Sequence, residues 1–156
     1  MKKWICLILA LMLAGFAAQA ETSDWTFDYN NYKLTEYQGA GGAVVIPEEF
    51  DGCTADILGL NLFNDADDVT SLTLPSTLKQ VEENVASFCD NLTELVNPEG
   101  VQVIGGNSFI CNPALTEVTI PASVCYIGKS SFGSNDNLNK VTFLGECPVF
   151  AGNALD

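Results

Sequence analysis

The chemistry open to this chain is limited by the residue types that it lacks. It has no histidine, so a Ser-His-Asp or Cys-His nucleophile and a histidine-ligated zinc are excluded. It also has no arginine, the residue that clamps carboxylate or phosphate in a planar bidentate pair. Paired carboxylates remain, but any acidic chain has them, so they discriminate little. We therefore predict no catalytic residues and a non-enzymatic protein.

Two clusters have the residue types that bind calcium. They are Asp-Ala-Asp-Asp at 65–68 and Asn-Asp-Asn at 135–137. Neither has the glycine at the sixth position or the acidic residue at the twelfth that an EF-hand loop requires. Both come directly before a strand-like segment, where polar turn residues are common. We predict no metal site and no cofactor.

The elements that must position any binding residue recur every 23 residues. Pro75, Pro98 and Pro121 fall on one register. Apolar residues keep the same step, as in Leu58, Val81, Ile104 and Ile127, in Val69, Leu92, Leu115 and Leu138, and in Leu72, Leu95, Val118 and Val141. A repeat of this length indicates a solenoid. Apolar residues two apart indicate a strand in each row, and about 17 residues between strands suit a crossover to a parallel neighbour.

The chain begins with a predicted secretory signal. Residues 1–20 have two lysines, an apolar run and a small-x-small end at Ala18-Gln19-Ala20, which predicts cleavage after Ala20. An uncleaved membrane anchor is the alternative. We therefore expect a secreted, extracellular or cell-surface protein without membrane insertion after cleavage.

The rest divides into an N-terminal segment and an array. Residues 21–46 alternate aromatic and polar residues around a turn at 30–31, so we predict a hairpin and a third strand that cap the first coil. An aromatic sugar-binding platform is the alternative for the same residues. The array follows as an irregular first coil at 47–74 with an inserted surface loop at 48–55, regular rows at 75–97, 98–120 and 121–143, and a partial row at 144–156.

One row carries a family resemblance. Residues 118–124 read V-T-I-P-A-S-V, and Ile127-Gly128 and Phe132 follow at fixed distances. This pattern resembles the BspA-type leucine-rich repeat. The resemblance implies a right-handed, curved leucine-rich repeat solenoid of short parallel strands with short helical or 3-10 crossovers. It also implies an exported bacterial or protist protein linked to adhesion or host contact, and it offers no catalytic residues to carry over.

Three positions depart from the repeat. Ala86 stands where other rows have phenylalanine, and we expect Phe88 to fill the gap. Asn97 replaces an inward apolar residue, and Glu82 replaces a glycine. These departures leave the predicted architecture unchanged.

The predicted strand face is the candidate binding surface. Its outward positions form three ladders, namely Thr70, Thr93, Thr116 and Asn139, then Ser71, Glu94, Glu117 and Lys140, then Thr73, Val96, Thr119 and Thr142. The concave strand face of a solenoid commonly binds extended partners, so we predict that it binds a protein or glycan. Threonine is also simply a good exposed strand residue, which is the alternative explanation.

The number and positions of the cysteines bear on whether the chain contains a disulfide. Five cysteines follow residue 20, and their odd number means that at least one is unpaired or pairs between chains. We favour reduced core thiols. Two pairs lie in adjacent rows and could form a disulfide, namely Cys125 with Cys147 and Cys89 with Cys111. Of the two, Cys125 with Cys147 is the better candidate.

The charge of the chain also limits its partners. Beyond residue 20 it has 20 acidic residues against four lysines, a net charge of −16, which disfavours nucleic acid and anionic membranes as partners. The alternative function is a structural unit that self-associates through an uncapped last coil at residues 144–156.

Overall fold

The structure, a computed structural model, describes residues 21–156, so the predicted signal peptide lies outside the described residues. After one 3-10 turn at Thr22–Asp24, the chain is built from short strands and turns. The strands are β1 (Trp25–Asp28), β2 (Lys33–Tyr37), β3 (Gly42–Val45), β4 (Glu49–Phe50), β5 (Cys53–Thr54), β6 (Ile57–Leu58), β7 (Val69–Thr73), β8 (Gln80–Val81), β9 (Glu94–Val96), β10 (Val103–Ile104), β11 (Glu117–Ile120), β12 (Tyr126–Ile127), β13 (Lys140–Phe143) and β14 (Val149–Phe150).

One sheet runs through every coil. Its strand order is β1-β2-β6-β8-β10-β12-β14. β1 and β2 form an antiparallel hairpin, and every later pair is parallel. The paired residues include Leu34 with Leu58, Leu58 with Val81, Val81 with Ile104, Ile104 with Ile127, and Ile127 with Phe150. The predicted solenoid and its 23-residue register are confirmed.

The strand face is formed by a second set of parallel strands. β3, β7 and β9 make one sheet, and β11 and β13 make another. Leu72 pairs with Leu95, and Val118 pairs with Val141. Leu72, Leu95 and Val118 are buried, so the face that they leave to solvent carries the intervening polar residues.

The interior is a continuous apolar column between the two sets of strands. Phe109 and Phe132 stack with ring centroids 5.4 Å apart, while Phe63 instead meets Trp25 of the hairpin at 5.8 Å. Ala86 is buried in the row between Phe63 and Phe109. The expectation that Phe88 fills its place is wrong, because Phe88 is 50% exposed.

The crossovers differ from the predicted short helical or 3-10 segments, since no helix lies between the strands within residues 25–156. Their N–H groups donate to the next coil, as from Phe63 to Val85 O at 2.6 Å and from Phe109 to Ser131 O at 2.8 Å. A helix would need those donors for its own carbonyls.

Left-handed residues instead turn the chain at two positions per coil. The first set is Asn61, Asn84, Asn107 and Ser130, and the second is Asp65, Phe88, Cys111 and Ser134, all with φ between 52° and 59°. Asparagine and aspartate adopt this conformation more readily than most residues. The chain thus bends without a helix.

A buried polar ladder fastens the crossovers. Asn112 Nδ2 donates to Ala86 O at 3.0 Å, and Asn112 Oδ1 accepts from Cys89 N at 2.9 Å. Asn135 repeats this arrangement one coil on, with Phe109 O and Asn112 N as its partners. Cys89 holds the equivalent position one coil earlier, where its Sγ contacts Phe63 O at 3.0 Å. Burial is therefore matched by hydrogen bonding along the ladder.

The segment inserted before the regular rows is more ordered than predicted. Residues 48–55 contain the small antiparallel hairpin of β4 and β5 rather than a plain surface loop. Phe50 is 3% exposed and packs on Trp25 and Phe27 of the first hairpin. The insertion is therefore part of the N-terminal aromatic packing. The boundaries at residues 46 and 47, and the capping role of residues 21–46, stay predictions.

We expect Asn112→Ala to lower the free energy of unfolding by about 2 kcal/mol or more, because it leaves the buried Cys89 N–H and Ala86 carbonyl without partners. Urea denaturation followed by circular dichroism measures the change. Asn137→Ala is the matched control, since Asn137 is exposed and water can replace its bond to Pro113 O. Equal losses in the two variants would contradict the ladder's role.

Candidate functional site: a groove on the strand face

The predicted ladders of the strand face are in register in the structure. Ser71 lies beside Glu94 and Thr73 beside Val96 across β7 and β9. Glu117 lies beside Lys140 and Thr119 beside Thr142 across β11 and β13. In the ladder that begins at Thr70, the backbone N–H of Thr93 donates to Thr70 O at 2.9 Å, and that of Asn139 donates to Thr116 O at 3.0 Å. The twelve predicted residues therefore share one face.

This face is interrupted in its middle, which the sequence did not predict. β9 and β11 are neighbours, but no strand ladder joins them in the described residues. A groove of about 640 Å³ lies at the break. We call it the strand groove, and it is lined by residues 93–97, Thr116, Glu117, Val118, Thr119 and Lys140. It gathers seven of the twelve predicted residues and leaves the other five outside, namely Thr70, Ser71, Thr73, Asn139 and Thr142.

Asn97 marks the interruption. Other rows have Leu74, Ile120 and Phe143 at its position, and β9 ends one residue before it. The side-chain Nδ2 of Asn97 donates to Thr119 O at 3.4 Å, while Oδ1 is buried without a partner. The Asn97 side chain thus stands where other rows have an apolar side chain, and its bond to Thr119 O stands where a backbone bond between β9 and β11 would otherwise form. The departure from the apolar register was the available sequence signal.

The charges of the groove are unevenly compensated. Lys140 Nζ lies 2.9 Å from Glu117 Oε2, and both side chains are well exposed. The hydrogen bond and charge of Lys140 lower the pKa of Glu117 below its ordinary value. Glu94 makes no ion pair in the described residues. The groove therefore presents one carboxylate free to meet a cation and one shared with lysine.

A second ion pair lies outside the groove. Lys33 Nζ is 3.3 Å from Glu82 Oε1, and Glu82 Oε2 also accepts from Leu60 N at 2.9 Å. Gly59 lies in the coil between them, where an added Cβ would clash with Leu34 O at 2.5 Å and would also meet the Lys33 stem at 3.4 Å. The departure of Glu82 from the glycine register therefore has a structural role, which the sequence alone did not indicate.

The five cysteines carry free thiols in the structure. Cys89 is fully buried, and burial raises the pKa of its thiol to about 11. This agrees with a reduced core thiol at that position. Cys125 and Cys147 are exposed and contact separate carbonyls, those of Gln102 and Pro148. A disulfide between Cys125 and Cys147 stays a prediction.

Neither a metal centre nor a membrane-spanning helix is found between residues 21 and 156. No group of three or more cysteine, aspartate or glutamate side chains there is placed to hold an ion. The same residues contain no helix long and apolar enough to cross a bilayer.

The stacked coils and their polar strand face define the class of leucine-rich repeat solenoids. Residues 56–155 match the family described as BspA type leucine rich repeat region, in six copies. The chain belongs to this BspA-type leucine-rich repeat family. Proteins of this family and fold generally act as protein-interaction modules rather than as enzymes.

Solved structures share the fold. The leucine rich repeat protein TpLRR of T. pallidum is 18% identical, with a TM-score of 0.57 over 85% of this chain and 86% of its own. A leucine-rich repeat protein from Bacteroides capillosus is 22% identical, with a TM-score of 0.62 over 78% of this chain and 93% of its own. A leucine rich cell surface protein from Faecalibacterium prausnitzii is 20% identical, with a TM-score of 0.55 over 76% of this chain and 40% of its own. The search of curated proteins gave no match.

We expect Lys140→Ala to raise the pKa of Glu117 towards the ordinary glutamate value, because the variant removes both the hydrogen bond and the positive charge. Carboxyl-detected NMR titration of Glu117 measures the shift. The control Lys79→Ala removes an equal charge from an exposed position outside the groove. An unchanged Glu117 titration in Lys140→Ala, or the same shift in both variants, would contradict the pairing.

Proposed function

We propose that this protein is a secreted or cell-surface adhesion module that binds a basic, extended segment of a protein partner in the strand groove. The observation that carries the proposal is the groove itself, which opens where β9 and β11 fail to pair. Its partner chemistry follows from charge, since Glu94 is exposed and without an ion pair in residues 21–156, and the chain from residue 21 has a net charge of −16.

The lining supports an extended protein segment rather than a compact ligand. Threonine hydroxyls at positions 93, 116 and 119 flank the carboxylates. Thr93 Oγ1 donates to Thr70 O at 3.0 Å and keeps lone pairs that can accept from a peptide N–H, while the hydroxyls of Thr116 and Thr119 can donate and accept. Val96 adds an apolar contact, being 40% exposed. A glycan partner, the other half of the sequence prediction, has no aromatic ring to stack on in this groove.

The proposed location depends on residues outside the described range. The leader pattern of residues 1–20 supports export. The Faecalibacterium protein that shares the fold is itself described as a cell surface protein. An acidic protein in that location would attract basic partners over a distance of about one Debye length, roughly 8 Å in physiological salt.

Peptide selection tests the proposed partner chemistry. We expect a random displayed peptide library, panned on the protein, to yield lysine- or arginine-rich sequences. Glu94→Lys with Glu117→Lys should weaken their binding by about tenfold or more, because attraction becomes repulsion at two positions. Biolayer interferometry with the selected peptides measures the affinities.

The control variant for this test changes the net charge equally. It carries Glu49→Lys and Glu146→Lys, at two exposed positions outside the groove, and should retain binding. Equal losses in the two double variants would show that only net charge matters. Selection of acidic or neutral peptides would contradict the proposed partner.

A second candidate function is assembly through residues 144–156. It is favoured by exposed apolar side chains there, with Leu144 at 60% and Val149 at 67% exposed, since the end coil of a solenoid can cover such side chains by stacking on a second copy. On this proposal, light scattering finds a multimer, and Leu144→Lys with Val149→Lys reduces it to a monomer. A monomeric parent protein would contradict assembly.

A further inference from the structure

A second groove lies on the N-terminal hairpin and shares no residue with the strand groove. We call it the aromatic groove, and it has a volume of about 440 Å³. Its walls include Trp25, Phe27, Tyr29, Phe50 and Asp51. The volume is within the range of about 300 to 1,000 Å³ that is usual for small-ligand sites. The first hairpin and the inserted hairpin of β4 and β5 both contribute to it.

The rings of the aromatic groove hold one another in fixed positions. Phe27 stacks on Phe50 at 5.1 Å with 10° between the ring planes. Tyr29 meets Phe27 edge-on at 4.8 Å and 78°. Trp25 and Phe50 are buried. The interior rings therefore form a rigid base beneath Tyr29.

Tyr29 is exposed and yet anchored. Its ring is 50% exposed, while its hydroxyl donates to Asp51 Oδ2 at 2.8 Å. This hydrogen bond raises the pKa of Tyr29 above the ordinary tyrosine value. Asp51 lies in the turn of the inserted hairpin, at φ 49°. An exposed ring that is fixed in advance is suited to stacking, because little rotamer freedom is lost when a ligand binds.

Polar groups surround these rings. Thr22 and Ser23 offer exposed hydroxyls on the same groove, and each can donate and accept. Asp51 keeps carboxylate lone pairs beyond the one that Tyr29 uses. The Nε1–H of Trp25 is buried and has no acceptor, although an indole N–H usually has a partner when buried. The groove thus combines apolar ring faces with an acceptor-rich rim.

We propose that the aromatic groove binds a neutral carbohydrate. A sugar ring has an apolar face of C–H bonds that packs on an aromatic ring, and its hydroxyl rim needs both donors and acceptors. Tyr29 supplies the stacking face, and Asp51, Thr22 and Ser23 supply the rim. A peptide is the poorer fit, because its backbone offers at most one N–H donor per residue to this acceptor-rich rim, whereas a sugar ring offers several hydroxyl donors. An anionic ligand is opposed by the charge of the chain. The proposal is independent of the strand groove.

The indole resonance of Trp25 provides a direct readout. The chain has two tryptophans, so the Nε1–H signal of Trp25 is readily assigned by NMR. The probes are cellohexaose, xylohexaose, mannohexaose, maltohexaose and N-acetylated chitohexaose, each titrated to millimolar concentration. We expect at least one of them to shift this signal saturably. The absence of a saturable shift with all five probes would overturn the proposal.

Two tyrosines of the same hairpin give a matched comparison. Tyr29→Ala should weaken the binding by about tenfold or more, a loss typical of removing an aromatic anchor. Tyr32→Ala should leave it unchanged, because Tyr32 is similarly exposed at 47% but does not line the groove. Equal weakening in both variants would overturn the proposal.

Three further arms keep the test decisive. Asp51→Ala removes the tether and an acceptor without altering a buried residue, so it should also weaken binding even if Tyr29→Ala fails to fold. Unchanged affinity in Asp51→Ala would overturn the assigned role of the rim. A proline-rich peptide that shifts the Trp25 signal more tightly than every glycan would overturn the ligand class. Glu94→Lys with Glu117→Lys should keep glycan binding intact.

Discussion

The hydrogen bonds that leave each coil for the next one hold this protein together. In the crossovers, Phe63 N donates to Val85 O. The same bond recurs in later coils, where Phe109 N donates to Ser131 O and Phe132 N donates to Ala154 O. In the continuous sheet, five strands of only two residues each, β6, β8, β10, β12 and β14, continue the parallel pairing that begins at β2. Some turn bonds close within one coil, as from Ala66 N to Phe63 O, but most backbone bonds outside the strands join neighbouring coils. A coil taken alone would therefore leave many of its polar groups unpaired. Stability is therefore shared between adjacent coils.

Surfaces with distinct chemistry arise where this regular bonding is broken or supplemented. Asn97 stands in an apolar register, and the strand groove opens beside it. The insertion at 48–55 adds Phe50 and Asp51 to the first hairpin and so completes the aromatic groove. The regular rows supply a rigid frame, while Asn97 and the insertion at 48–55, which depart from the repeat, create the two grooves. Rigid frames that present variable surface residues are typical of binding proteins.

The two grooves would recognise different molecules. The strand groove has carboxylates, hydroxyls and a lysine but no aromatic ring, whereas the aromatic groove has four rings and a hydroxyl rim. A module with both could hold a protein and a glycan at once. Neither groove requires chemistry from histidine or arginine, which this chain lacks. On both proposals, recognition would depend on shape, hydrogen bonds and negative charge.

The sequence alone determined the register. Leu58, Val81, Ile104 and Ile127 were assigned to one ladder from their spacing, and the ladder is as predicted. Seven of the twelve predicted strand-face residues line one groove. Such positions are predictable because equivalent positions in successive coils have similar surroundings.

Only the tertiary structure decided the rest. The crossovers bend through left-handed residues because the next coil takes their N–H groups, so Phe88 faces solvent instead of the core. The break between β9 and β11, the reach of Lys33 over Gly59 to Glu82, and the approach of Phe50 to Phe27 likewise join residues distant in sequence. These features depend on contacts between particular, unlike residues in different coils. A periodic pattern records only what the coils have in common.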